Sequence, residues 1–195
     1  MGRARDRWLN EGVQVLTEEG APGLRIDRLA ARLGLSKGSF HHHFAGAEGF
    51  KRDLLAHIER LSADALEDVM SDLGAHEDPE TALELLTSVF EERGAEIYRP
   101  ELDAALRAWE RTDPEAAEIQ RRIDDARLSA LQSVWRPYVG SDAEARRAAQ
   151  LPYLLVVGAM GVTPPVEIGE LRELLEMLLP LVPGLRGPDR SSAAE

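Results

Sequence analysis

Three consecutive histidines, His41, His42 and His43, are the residues of this 195-residue chain whose types most directly invite chemistry. Successive residues on a helix point about 100° apart, so the three cannot close around one metal ion. Paired carboxylates such as Glu91-Glu92 and Asp124-Asp125 fail as acid/base couples for the same reason. Helical neighbours do not converge on one substrate atom, and these pairs read as solvated faces. The absence of cysteine removes thiol nucleophiles, disulfides and thiolate metal sites. No Glu-x-x-His, His-Glu-x-x-His or phosphate-binding glycine loop occurs. The expectation is a protein that is not an enzyme, with no cofactor and no metal site. For the histidines that leaves a contact role or plain surface.

The surrounding sequence favours contact. Residues 26–44 read Ile-Asp-Arg-Leu-Ala-Ala-Arg-Leu-Gly-Leu-Ser-Lys-Gly-Ser-Phe-His-His-His-Phe. Ile26, Leu29, Ala30 and Leu33 are spaced i, i+3, i+4, i+7 and predict a short helix. The small Ala30 lets a second helix cross close by. Gly34 supplies positive φ at a sharp turn, and Leu35 plugs the corner. Ser36 caps a second short helix, which Phe40 and Phe44 anchor to a core. Lys37, Ser39, His41, His42 and His43 then face outward. A polar rod of about two turns on a fixed corner is what the DNA major groove accepts.

Nothing reads as a strand or a repeat. One helix spans about 6–19, with Leu9, Val13 and Leu16 on one face, and a long one about 47–73. Prolines at first helical positions, in Asp78-Pro79, at Pro100 and in Asp113-Pro114, open helices over about 78–93, 100–111 and 114–136. Two more span about 142–161 and 167–179. The fold class is therefore all-α, with about nine helices. Residues 1–46 form a helix-turn-helix DNA-binding domain. Residues 47–183 form a helical-bundle ligand-binding and dimerisation domain whose first helix is the connector. Residues 184–195 are a disordered tail.

Composition agrees with helices around a real core: 44% of residues are hydrophobic and only 5% aromatic. The net charge of −12 argues against nucleic acid until its distribution is read. Residues 1–60 hold 10 basic and 8 acidic side chains, a net of +2, and residues 61–195 hold 13 and 27, a net of −14. An acidic body repels DNA and leaves the N-terminal face to approach it. The longest apolar run, 151–162, contains Pro152 and is shorter than the roughly 18 residues a membrane span needs. With no apolar leader segment, the expected location is cytoplasmic, with no membrane partner.

The stretch Gly34-Leu-Ser-Lys-Gly-Ser-Phe-His-His-His-Phe44 resembles the recognition-helix signature of the TetR family of bacterial transcriptional regulators. The likeness is specific over residues 7–61 and looser beyond, where Ala108-Trp109-Glu110 through Asp113-Pro114 and on to Arg127-Leu128 is similar to the C-terminal domain of one TetR subgroup. The resemblance implies DNA contacts at Arg25, Ser36, Lys37, Gly38, Ser39, His41, His42 and His43. It also marks two departures: His41 stands where the family usually has Tyr, and Ala47, followed by Glu48, where it usually has a phosphate-contacting Lys. The backbone N–H groups of that helix start still suit phosphate. Arg3, Arg5 and Arg7 are expected to replace the missing contact, at the flanking minor groove or phosphates.

The helix over about 114–136 is apolar on two faces, Ile119, Ile123, Ala126, Ala130 and Val134 on one and Leu128, Leu131 and Trp135 on the other, which puts it mid-bundle. The resemblance implies a small-molecule effector in that interior. Its candidate lining is Met70, Leu86, Phe90, Leu106, Trp109, Ile123 and Arg127, against the plainer reading of core packing, with Arg127 in an internal ion pair. Leu154, Leu155, Gly158, Leu171, Leu174, Leu175 and Leu178 form more apolar stripe than two terminal helices should expose, and predict a two-fold four-helix homodimer interface. The expected function is sequence-specific transcriptional regulation, as a repressor released from a palindromic operator of double-stranded DNA by a small-molecule effector. The alternative is a helical small-molecule or partner-binding protein with a degenerate DNA-binding head.

Overall fold

The computed structural model describes residues 2–73 and 99–178. Among them are eight α-helices and no strand. They are α1 (Gly2–Glu19), α2 (Ile26–Leu33), α3 (Lys37–His43), α4 (Gly46–Leu73), α5 (Pro100–Glu110), α6 (Pro114–Trp135), α7 (Asp142–Gly161) and α8 (Ile168–Leu178). The expected helix over 78–93, with Leu86 and Phe90, and the tail over 184–195 lie outside the described residues. No helix among those described is long and apolar enough to cross a membrane.

The chain divides into two compact units. The first comprises Met1–Asp64 and Arg99–Asp124, the second Ala65–Tyr98 and Asp125–Glu195. The first therefore reaches past residue 46, because α4, α5 and α6 share its core. Trp8, Leu9, Val15 and Leu16 of α1, Phe50, Leu54, Leu55 and Ile58 of α4, Leu106 and Trp109 of α5, and Ala116, Ile119 and Ile123 of α6 are all buried in one cluster with Leu29, Phe40 and Phe44. Their spacings follow the 3.6-residue period on each helix. Leu106, Trp109 and Ile123 are thus core packing of this unit.

Of the two apolar faces expected on the helix now seen as α6, Ile119 and Ile123 are buried in the first unit beside Ala116 and Gln120, and Trp135 is buried in the second with Leu131 packed against it, whereas Ala126 is exposed. Gln120 Nε2 donates to Asp124 Oδ1 at 2.6 Å. Arg107 of α5 bridges Asp103 at 2.8 Å and Asp124 at 3.0 Å. Burial alone would depress the Arg107 guanidinium, but the bonds to Asp124 and Asp103 outweigh it and hold its pKa above the ordinary value.

The second unit buries Trp135, Ala148, Ala149, Ala159, Leu171 and Leu175 together, with Leu155 packed against them half-buried. Leu171 and Leu175 therefore belong to the chain's own core. They are removed from the expected dimer face, because the stripe of α8 that carries them is filled by α7 and Trp135. Among the described residues, Leu154 (64% exposed), Val162 and Met177 (73%) are the large apolar side chains left outside, and Gly158 is exposed between them in sequence. Leu174 is half-buried, and the side chain of Leu178 is outside the description.

Candidate nucleic-acid interface

The corner between α2 and α3 is built as its residues dictate. Gly34 caps α2 at φ 64°, ψ 29°, a left-handed conformation that glycine adopts without steric cost. The Leu35 amide donates to the Ala30 carbonyl at 3.0 Å, folding the chain back over the small residue. Ser36 is the N-cap of α3, its Oγ accepting from the Ser39 amide at 3.2 Å. Phe40 is fully buried. It stands edge-on to Trp8 at 5.3 Å and tilts against Phe44 and Phe50 at 5.0 and 5.4 Å. Offset and edge-on aromatic pairs of this kind add to the area they bury.

With Phe40 and Phe44 turned inward, the rest of α3 is turned out. Arg25, Ser36, Lys37, Gly38, His41 and His42 are exposed, and Ser39 and His43 half-buried. All eight residues implied as DNA contacts lie on the α2–α3 segment and its entry. Lys37 has no ion-pair partner among the described residues. Arg25 makes an exposed pair with Asp27 at 3.1 Å, the kind that costs little to break.

Of the three arginines expected to form an arm, Arg5 and Arg7 make contacts within the protein. Helix α1 begins at Gly2, so these residues lie on a helix. Arg5 pairs with Asp53 of α4 at 2.9 Å and sits 5.6 Å above the Phe44 ring, a cation–π contact. Arg7 donates to the Leu33 carbonyl at 3.4 Å. Arg28 pairs with Glu19 at 2.6 Å, and Arg32 with Glu11 and, at 2.7 Å, with Glu18. These ties clamp α2 to α1.

Two further groups escaped the sequence reading. Lys51, one turn after Ala47, points into the protein, where Asp113, Glu48 and Glu115 meet its Nζ at 3.0, 3.1 and 3.1 Å. Hydrogen bonds, Asp113's first, push the Lys51 pKa up. Asp113 is held below its usual range although burial opposes it, because Lys51 and the Ala116 and Glu115 amides donate to it. His57 of α4 is buried, with Nε2 2.9 Å from Asn10 Oδ1 and Nδ1 2.8 Å from Arg60 Nη2. Burial first, and Arg60 second, push its pKa down. Arg60 can only donate to Nδ1, so the ring is neutral with its proton on Nε2. The only sequence signal for Lys51 is that it is one of two lysines. For His57 there is none.

An open cleft of about 420 Å³ runs between α4 and α6, lined by Arg52, Leu55, Ala56, Pro114, Ile119 and Arg122 among others. Among the described residues expected to line an effector site, Met70, Leu106, Trp109, Ile123 and Arg127, none borders it. Met70 and Arg127 are half-buried in the second unit. No cluster of potential metal ligands occurs among the described residues.

Residues 9–58 match a family model described as bacterial regulatory proteins of the tetR family. No curated protein matches the chain. Among solved structures, a transcriptional regulator from Rhodococcus sp. Rha1 is 26% identical, with a TM-score of 0.69 over 91% of this chain and 95% of that one. A TetR transcription regulator from Haloarcula marismortui is 19% identical at a TM-score of 0.72, over 93% and 99% of the two chains. The fatty acid degradation regulator FadR from Bacillus halodurans is 18% identical at 0.69, over 96% and 99%. At these lower identities the likeness is one of fold.

Proposed function

We propose that this chain, whose residues 9–58 match the model of the TetR family of bacterial regulatory proteins, is a TetR-family DNA-binding transcriptional regulator and not an enzyme, a homodimeric repressor released from a palindromic operator by a small-molecule effector. The observation that carries this reading is the outward polar face of α3, Lys37 through His43, on a corner fixed by Gly34 and Ser36. In a two-fold dimer such rods enter successive major grooves about 34–36 Å apart. The dimer face is assigned to Leu154, Gly158, Val162 and Met177, which stay exposed after the chain's own core is filled. Cytoplasmic location follows from this role.

Helix α4 runs without a break from Gly46 to Leu73. An effector with different affinities for two positions of that helix changes DNA affinity by the same factor as DNA changes its own. Met70 and Arg127 are the described candidates for contact with it. The test is selection of bound sequences from a random duplex pool, followed by titration. The expected result is a two-fold-symmetric consensus, with Lys37→Ala weakening all sequences alike and lowering the salt slope by about one unit. Absence of salt-dependent DNA binding overturns the proposal.

A second reading, a head that has lost DNA binding, is favoured by one set of observations. Ala47 and Glu48 stand at the start of α4, and Lys51 and Arg5 are engaged in ion pairs within the chain. The same titration separates the two.

A further inference from the structure

The charge that α3 can offer to DNA is set mostly by its imidazoles. On the elements packed against α3, nearly every charged side chain has its counter-ion within the first unit. On α1 and α2, Glu11 and Glu18 pair with Arg32, and Glu19 with Arg28. At the entry to α2, Arg25 pairs with Asp27. Asp53 of α4 pairs with Arg5, and Glu48 with Lys51. Arg7 rests on a backbone carbonyl. Asp6 of α1 and Arg52 of α4 are both exposed and opposite in sign. On α3 itself the permanent charge is Lys37 alone, followed by His41, His42 and His43.

Each of the three rings lies near another ring. His41 lies 5.5 Å from Phe40, His42 5.1 Å from His43, and His43 6.3 Å from Phe44. No hydrogen bond or ion pair among the described residues holds any of them. Histidine is the side chain that changes charge between pH 5 and 8. A phosphate backbone favours the cationic form.

We infer that α3 binds duplex DNA in imidazolium form, so that docking takes up protons and affinity rises as pH falls. This rests on the DNA-binding reading above. Each imidazole that gains its proton on docking contributes up to about tenfold in affinity per pH unit. The closeness of His42 to His43 opposes charging both, so uptake of one to two protons is expected.

The experiment uses the full chain and a fluorescent random-sequence duplex, at fixed low salt, between about pH 8 and pH 6. Circular dichroism at each pH checks folding. Affinity is expected to rise about tenfold or more over that range for the native chain, and to be flat for H41Q/H42Q/H43Q. H41Q/H42Q spares His43, which packs on Phe44, and replaces the triple variant if that fails to fold. It is expected to lose at least half of the logarithmic dependence. A native profile that changes less than about threefold, or a variant that keeps the native dependence, overturns the inference while leaving DNA binding intact. No binding at any pH overturns the DNA-binding reading and the inference together.

Discussion

The Nζ of Lys51 lies 3.0 Å from the Oδ2 of Asp113, a residue 62 positions away. Asp113 uses its other oxygen, Oδ1, to accept the amides of Glu115 and Ala116 at 2.9 and 3.2 Å, so one carboxylate both caps α6 and fastens it to α4. Where the family resemblance leads one to expect a lysine near this helix start that reaches DNA, Lys51 is tied to carboxylates of its own chain. Lys51→Met and Asp113→Asn should each destabilise the first unit. Their coupling in a double-mutant cycle should be about 0.5–1 kcal/mol, since both side chains are about a fifth exposed. Urea denaturation measures it, and strict additivity would remove the fastening role.

His57 predicts a pH dependence of stability. Burial and Arg60 lower its pKa in the native state, while the unfolded chain keeps the ordinary value of about 6.5. Between the two, the unfolded state holds a proton that the native state does not. The stabilisation is therefore complete above the ordinary value and is lost as pH falls toward the native one. Thermal midpoints should drop from about pH 7.5 to about pH 5.5, and His57→Gln should drop less over the same interval. A variant with the native slope would place the effect on other groups.

The parts of the head that could be read from sequence are those whose signals are local. Gly34, Ser36, Phe40 and Phe44 lie within eleven positions, and each dictates its own conformation or burial: a left-handed turn, a cap, two inward rings. Ion pairs between distant segments were not legible. Nothing in the residues around Arg5 says that its guanidinium will settle on Asp53 and Phe44 in preference to DNA. The leucine stripes failed in a different way. Periodicity identifies the apolar face of α8 but not its occupant, and Leu171 and Leu175 found α7 and Trp135 where a second chain was expected.

Two glycines should respond to alanine for different reasons. At Gly34 an added Cβ meets nothing within 4 Å, but φ is 64°, so Gly34→Ala should cost about 1–2 kcal/mol through backbone strain alone. At Gly12, inside α1, a Cβ would lie 2.8 Å from Phe50 Cζ and 3.0 Å from Leu54 Cδ1. Alanine gains about 1 kcal/mol in helix propensity there and loses about 1–3 kcal/mol by overpacking, so the net effect is destabilising. Phe50→Leu, which removes the ring, should relieve Gly12→Ala. If the two changes simply add, α1 and α4 are not in the close contact described.

Exposure distinguishes dimer contacts from core along α7 and α8. Leu171→Ala removes a fully buried side chain and should cost about 2–5 kcal/mol whatever the oligomeric state. Leu154 and Met177 are 64% and 73% exposed, and alanine at either should leave the folding of a single chain nearly unchanged. If these two side chains face a second copy, L154D/M177D places unpaired charge in an apolar interface, a burial that charges resist strongly. Sedimentation should then show monomers at concentrations where the native chain is dimeric, with helicity by circular dichroism retained. DNA affinity should fall with dimerisation, because a single rod forfeits the second half-site. A double variant that stays dimeric moves the interface elsewhere. One that loses its helicity instead shows that these side chains serve the fold of the second unit.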